Sequence, residues 1–166
     1  KARLEAGGAI DVLAAYRTSK WRERKAQERK AVGLGAAVKY LNALESADGQ
    51  LSGMAAVATH EHLLTTYALD RLRAINGVRV IGPADSHARG SALSFVVDGI
   101  HAHDVGQVLD EAGVEVRVGH HCAWPLHRRF AVAATTRATF YIYNGPRDVD
   151  ALADAIVDAQ KFFKVI

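Results

Sequence analysis

The sequence predicts an α/β protein, built as a two-layer α+β sandwich with helices first and a small, partly antiparallel, helix-covered sheet after them. Two patterns support this class. Residues 10–30 contain neither proline nor glycine and are rich in residues that favour helices. From residue 78 onward, short β-branched and aromatic runs alternate with glycine-containing turns. The length of 166 residues and the hydrophobic content of 49% fit one folded domain rather than a disordered chain.

Three helical segments are expected in the first half, at residues 10–30, 36–44 and 54–75. Gly33 and Gly35 are expected to interrupt the first two. The polar stretch 45–52 predicts a loop. The pair Asn76-Gly77 predicts the end of the third helix, because both residues tolerate a left-handed backbone.

Four strands are expected in the second half, at residues 78–81, 91–97, 114–118 and 136–143. A helix is expected at residues 103–112, ended by Gly113, whereas residues 119–125 predict no regular structure. Pro146 indicates the first turn of a closing helix. The apolar stripe of that helix consists of Val149, Leu152, Ala153, Ile156, Val157 and Phe163.

The formal net charge of +3 is set by one basic segment. Residues 17–30 hold seven basic and two acidic residues, a balance of +5, so the rest of the chain sums to −2. We interpret this segment as a solvated helix face, and nucleic-acid binding is disfavoured because Trp21 is its one aromatic residue. No uncharged stretch approaches the roughly 20 residues of a membrane helix, and no secretory leader opens the chain. Because the chain begins with Lys1, we expect a piece of a longer protein.

The strongest candidate for chemistry is the segment 117–126, Arg-Val-Gly-His-His-Cys-Ala-Trp-Pro-Leu. Cys122 is the only cysteine, which excludes an internal disulfide and is typical of a cytosolic thiol. Two histidines before it and Arg117 upstream supply positive charge that favours a thiolate nucleophile, although an inert, buried cysteine remains the alternative. Arg137 is a second cationic candidate, suited to binding a carboxylate.

A zinc site is the competing interpretation of the same region. Its potential ligands are His101, His103, His120, His121 and Cys122. Adjacent ligands such as His120 and His121 point in divergent directions, and His103 beside Asp104 suits an ordinary role at a helix start. We therefore expect no metal site.

The segment 117–126 closely resembles the active-site cysteine loop of the SUF-type cysteine desulfurases. These belong to the class V aminotransferase superfamily of pyridoxal-phosphate enzymes, which have fold type I. Further stretches look like the same family, in order and with similar spacing, at residues 33–37, 58–72 (with His60-Glu-His62), 77–83, 101–109, 136–140 and 143–144. The resemblance is strongest to the C-terminal small domain and to actinobacterial members.

The resemblance implies roles for individual residues. Cys122 would take sulfur from L-cysteine, giving L-alanine, and hold it as a persulfide for iron-sulfur cluster assembly. Arg137 would bind the substrate carboxylate, Arg117 would lie beside the cysteine loop, and His120 and His121 would shape that loop. The family also implies pyridoxal 5'-phosphate as cofactor, a homodimeric cytoplasmic enzyme, and a small acceptor protein of the SufE or SufU kind.

The resemblance further implies two parts of the chain. Residues 1–53 would be an N-terminal helical segment, comprising the end of a missing large domain and a basic insertion. Residues 54–166 would be the C-terminal small domain that carries the cysteine loop.

The sequence departs from the family in three places. No lysine follows a histidine, so the motif that supplies the Schiff-base lysine is absent from this chain. Gly8 occupies the position of a threonine that would contact the cofactor phosphate, and residues 9–32 and 45–52 contain insertions. Two hypotheses follow: a C-terminal part of a cysteine desulfurase, inactive without the large domain, or a truncated, inactive paralogue that binds a partner or accepts sulfur.

Overall fold

Four strands form one sheet in the order β1-β2-β4-β3. The protein is described by a computed structural model, which gives the backbone of residues 12–46 and 48–166 and the side chains from Lys25 onward, apart from residue 47. The strands are β1 (Val78–Ile81), β2 (Ala92–Val97), β3 (Arg117–Gly119) and β4 (Thr135–Thr139). Every pairing is antiparallel, including those of the central strands β2 and β4, so the sheet is fully rather than partly antiparallel.

The side chains of the strands alternate between two unlike faces of the sheet. On β2, Leu93, Phe95 and Val97 are buried on the face that packs against helices, which we call the helical face. Ser94 lies on the opposite face, which we call the open face, in register with Ile81 of β1 and with Arg137 of β4. This alternation buries one set of β2 side chains in the core and leaves Ser94 and Arg137 on the opposite face.

The helices are α1 (Val12–Asn42), α2 (Gly53–Arg73), α3 (Ala102–Glu111), α4 (Trp124–Arg129) and α5 (Pro146–Phe162). Helices α2, α3 and α5 pack on the helical face, and α1 contacts α2. Their buried core residues include Leu69, Leu72, Leu109, Leu152 and Ile156, which cluster with Phe95 of the sheet. The predicted two-layer α+β sandwich is thus confirmed for residues 53–162. No helix in the described ranges is long and apolar enough to cross a membrane.

The first helix is longer than predicted. Gly33 and Gly35 do not interrupt it, because α1 continues through both. A glycine costs only about 1 kcal/mol in a helix interior, which the alanine-rich flanks tolerate. Residues 10 and 11 of the predicted helix lie outside the described residues. Lys25, Arg29 and Lys30 are exposed, as a solvated face requires.

Two strands are shorter than predicted for identifiable reasons. Residues 114–116 do not join β3, since the Val114 amide donates to the Leu109 carbonyl and so finishes α3. Strand β4 ends at Thr139, and the Tyr141 amide instead donates to the Asn144 side chain in a turn.

In the closing helix, two residues of the predicted apolar stripe are not fully buried. Val157 is only partly buried, and Phe163 lies beyond the helix end, 38% exposed.

Helix α4 falls where irregular structure was expected at residues 124 and 125. Pro125 lies in its first turn, where its fixed φ and missing amide proton cause no loss. The proline therefore begins a helix here rather than breaking one, and this helix fixes the end of the cysteine segment.

Candidate active site

Cys122 is exposed and lies in a tight turn between β3 and α4. The Ala123 amide donates to the His120 carbonyl over 2.8 Å and closes this turn. Its two central residues, His121 and Cys122, have φ values of 53° and 61°. Positive φ at both central positions is the feature of a type I′ turn, which normally uses glycine or asparagine. Each non-glycine residue in this conformation costs of order 1–2 kcal/mol, so the cysteine is held in a strained backbone.

Helix α4 then crosses one end of the open face. A cavity of about 210 Å³ separates it from the sheet. Leu126 and Phe130 line the cavity on the side of α4, while Ile81, Ser94 and Arg137 line it on the side of the sheet. The cysteine turn therefore lies at the rim of a pocket whose floor is the open face.

Two arginines face each other across the strands beside this turn. Arg117 of β3 is the register partner of Arg137 of β4. Like charges opposite each other destabilise a sheet, and within the described chain neither arginine makes an ion pair. Arg137 is half-buried, and its Nε is buried with no hydrogen-bond partner. A guanidinium group with an unpartnered donor can bind a carboxylate through two parallel hydrogen bonds.

The sequence analysis did not identify two residues of the site, Thr135 and His127. The Thr135 hydroxyl lies 2.9 Å from His121 Nε2 and 3.1 Å from His127 Nε2. His127 Nδ1 lies 3.0 Å from the carbonyl oxygen of Ala123. The spacing of Ala123 and His127 indicates a contact only if the segment is helical, because His127 is then one helical turn after Ala123.

These contacts indicate the directions of the hydrogen bonds. The Ala123 carbonyl can only accept, so His127 Nδ1 donates to it, and in that tautomer His127 Nε2 accepts from the Thr135 hydroxyl. The Thr135 hydroxyl has then used its one proton and accepts from His121 Nε2. His121 is left with an unprotonated Nδ1, which is buried and has no partner.

His121 is also kept neutral by its surroundings. Burial lowers the pKa of His121, and the positive charge of Arg137 lowers it further. The Thr135 backbone has a smaller, opposing effect on that pKa. Positive charge near Cys122 at neutral pH consequently comes from the two arginines rather than from His121.

His120 supports the turn through aromatic contacts. It is exposed, and its ring meets Trp124 edge-on at a centroid distance of 4.2 Å and His127 at 5.3 Å. The structure thus brings together five expected site residues, Cys122, Arg117, Arg137, His120 and His121. The sixth, Gly8, lies outside the described residues.

The histidines of the competing zinc interpretation are divided between two places. His101 and His103 stack at the start of α3 with ring centroids 5.0 Å apart, and His101 Nδ1 accepts the His103 amide. Thr136, which contacts that helix start through the Ala102 carbonyl, faces the helical side of β4, whereas Thr135 faces the open side. Among the described residues, no group of three or more histidine, cysteine or acidic side chains could hold a metal.

Comparisons with known proteins agree on one family. The family model described as aminotransferase class-V matches residues 5–152. A probable cysteine desulfurase of Mycobacterium leprae (strain TN) is 54% identical over 134 residues, 81% of this chain and 30% of that relative. A probable cysteine desulfurase of Streptomyces coelicolor is 50% identical over the same share of each chain. The chain spans about 30% of the length of these curated relatives.

Solved structures of cysteine desulfurases also match this chain. A crystal structure of an Escherichia coli cysteine desulfurase, in an S-sulfonic acid form, matches with a TM-score of 0.58 and 33% identity, covering 64% of this chain and 26% of that one. An apo cysteine desulfurase from Thermococcus onnurineus matches with a TM-score of 0.56 and 32% identity, covering 69% and 28%. The chain therefore belongs to the class V aminotransferase family, with cysteine desulfurases as its relatives.

Proposed function

We propose that this chain is the C-terminal part of a SUF-type cysteine desulfurase and carries its sulfur-accepting cysteine. The observation that carries the proposal is the position of Cys122, exposed on a strained turn beside two arginines that have no ion-pair partner in the described chain. A thiol needs exposure and nearby positive charge to react as a thiolate. The half-buried Arg137 has an unpartnered Nε, which the carboxylate of L-cysteine would satisfy.

In the proposed reaction, the Cys122 thiolate attacks the sulfur of L-cysteine. A sulfur–sulfur bond forms and the Cβ–Sγ bond of the substrate breaks. The electron pair of the broken bond stays on Cβ, which takes up a proton and gives L-alanine, while Cys122 keeps the sulfur as a persulfide. The reaction needs no external oxidant or reductant.

Each neighbouring side chain has a part in this proposal. Arg137 binds the substrate carboxylate, because its buried Nε lacks a partner and lines the pocket. Arg117, the register partner of Arg137, adds a second guanidinium group on the same face of the sheet. His120 and His121 hold the turn, and the neutral state of His121 avoids a third positive charge there.

Family members rely on pyridoxal 5'-phosphate, whose ring withdraws electrons from the substrate carbon. The described residues do not fit the Schiff-base end of this cofactor. Their lysine side chains lie on α1 and at the end of α5, namely Lys25, Lys30, Lys39, Lys161 and Lys164. None of them lines the pocket under α4. We therefore assign binding of the substrate carboxylate and acceptance of the sulfur to this chain, and we do not assign the cofactor lysine to it.

The wider setting is part of the proposal. Residues 54–166 would act as the small domain and residues 1–53 as the segment that links it to a cofactor-binding domain. The intact enzyme would be a cytoplasmic homodimer that passes its persulfide to a small SufE- or SufU-like acceptor for iron-sulfur cluster assembly.

The second candidate is a truncated, catalytically inactive paralogue that binds a partner or accepts sulfur on Cys122. Gly8, in place of the phosphate-contacting threonine, and the insertions at residues 9–32 and 45–52 favour this candidate. It predicts a folded protein that releases neither alanine nor sulfide from L-cysteine.

A chimera tests both candidates. The aligned 134-residue segment of the Mycobacterium leprae relative is replaced by the matching segment of this chain, and alanine release from L-cysteine is measured with pyridoxal 5'-phosphate bound. The proposal expects alanine release that Cys122→Ser abolishes, and Arg137→Lys raises KM while cofactor absorbance stays unchanged. A folded, cofactor-loaded chimera without activity would support the inactive paralogue instead.

A further inference from the structure

We propose that His127 and Thr135 are positioning residues that hold the backbone turn carrying Cys122. The inference rests on the proposed function only in taking Cys122 as the reacting group. All eight histidines lie in the described ranges, and His127 alone is buried, with 5% of its surface exposed. Thr135 is 1% exposed. Buried polar groups of this kind are retained where their hydrogen bonds have a structural consequence.

The two residues anchor the turn on both sides of the cysteine. Before Cys122, the His121 ring is tied to the Thr135 hydroxyl at 2.9 Å. After Cys122, the Ala123 carbonyl is tied to the His127 ring at 3.0 Å. His127 and Thr135 are themselves joined at 3.1 Å. Cys122 consequently lies between His121 and Ala123, and both of these neighbours are linked to Thr135 on β4, Ala123 through the His127 ring.

The turn needs such support. His121 and Cys122 adopt positive φ without being glycine or asparagine, and within the described chain one backbone hydrogen bond, from Ala123 to His120, closes the turn. A turn with this sequence favours other conformations when nothing outside it fixes its side chains. The link to β4 also holds it beside Arg137, two residues after Thr135 on the same open face.

The direction of the hydrogen bonds gives the proposal a specific signature. His127 Nε2 accepts the hydrogen bond from the Thr135 hydroxyl, so His121 donates to Thr135 from Nε2. Without the His127 ring, the Thr135 hydroxyl loses its acceptor, and the hydrogen bond at His121 Nε2 changes with it. A residue that served only as filler would leave the His121 ring resonances unchanged.

The experiment uses the chain as it stands, with two readouts. Imidazole ¹⁵N spectra report the tautomers of His121 and His127, and amide hydrogen exchange at Ala123 reports opening of the turn. The disrupting variants are Thr135→Val, which keeps the shape of the side chain, and His127→Leu. Thr135→Ser retains the hydroxyl, and Thr139→Val is the matched control, an exposed threonine on the same face of β4.

We expect Thr135→Val and His127→Leu to shift the ¹⁵N resonance of His121 Nε2, whose hydrogen bond with Thr135 is lost or altered, and to speed exchange at Ala123 by about tenfold or more. Thr135→Ser and Thr139→Val should keep both readouts at the wild-type values. An unchanged His121 Nε2 resonance in either folded disrupting variant overturns the proposal, even if exchange becomes faster, since that result indicates general loosening. If the resonance shifts as expected while the chimera is inactive, the positioning role stands and the desulfurase proposal fails.

Discussion

Replacing Cys122 by glycine tests whether its backbone is strained. At an ordinary position, alanine to glycine destabilises a protein by roughly 0.5–1 kcal/mol, because glycine loses more conformational freedom on folding. At Cys122, with φ of 61°, any L side chain adds a cost of order 1–2 kcal/mol that glycine avoids. The two effects oppose each other, and the difference favours glycine by about 0.5–1 kcal/mol. We therefore expect Cys122→Gly to be more stable than Cys122→Ala.

Urea unfolding of both variants gives this difference directly, and it corresponds to about 1–4 °C in Tm for a chain of this size. Ala133→Gly is the control, because Ala133 is exposed in the connection between α4 and β4 and does not have a positive φ. It should be destabilised by the ordinary amount. If Cys122→Gly is less stable than Cys122→Ala by as much as Ala133→Gly is less stable than wild type, the turn is not strained and the reasoning fails.

Three further substitutions or conditions have defined outcomes. Gly33→Ala should stabilise the chain by up to about 1 kcal/mol in thermal unfolding, because nothing lies near its added methyl group in α1, and a loss would show that the helix is broken there. Gly106→Ala should destabilise it by about 1–3 kcal/mol, since the added methyl would meet Val118 Cγ1 at 2.5 Å; an unchanged Tm would refute close packing of α3 on β3. The pKa of His121 is lowered in the fold. The contribution of His121 to the free energy of unfolding is therefore present above the ordinary histidine pKa of about 6.5 and is lost as pH falls through the lower folded value. The loss of stability below pH 6.5 should thus be smaller in His121→Asn, and an equal loss would assign the effect to other groups.

The fold was predictable where local pattern and tertiary packing agree. The alternation in β2 and the apolar stripe of α5 each mark a face that the structure buries, and both elements lie close to the predicted bounds. Local signals failed where a neighbouring element decides the outcome. Residues 114–116 have strand composition, but the Val114 amide completes the end of α3. Pro125 begins a helix that is linked to β4 through His127 and Thr135.

The sequence indicated which residues form the site, but not which contacts hold the cysteine turn in place. The cysteine segment and Arg137 stand out by residue type, and the register of β3 and β4 brings Arg117 opposite Arg137. Nothing in the sequence indicates that Cys122 takes a positive φ, since its residue type disfavours it. The link between Thr135 and His127 is equally hidden, because it depends on how α4 lies across the sheet.

Transfer of the substrate sulfur to Cys122 can be followed with a label. The chimera is supplied with L-cysteine carrying labelled sulfur, and the label is located by mass spectrometry of its peptides. We expect label on the peptide that contains Cys122, removable by a thiol reductant and absent from Cys122→Ser. Alanine release at the normal rate with no label on that peptide, or label that persists in Cys122→Ser, would contradict the assignment.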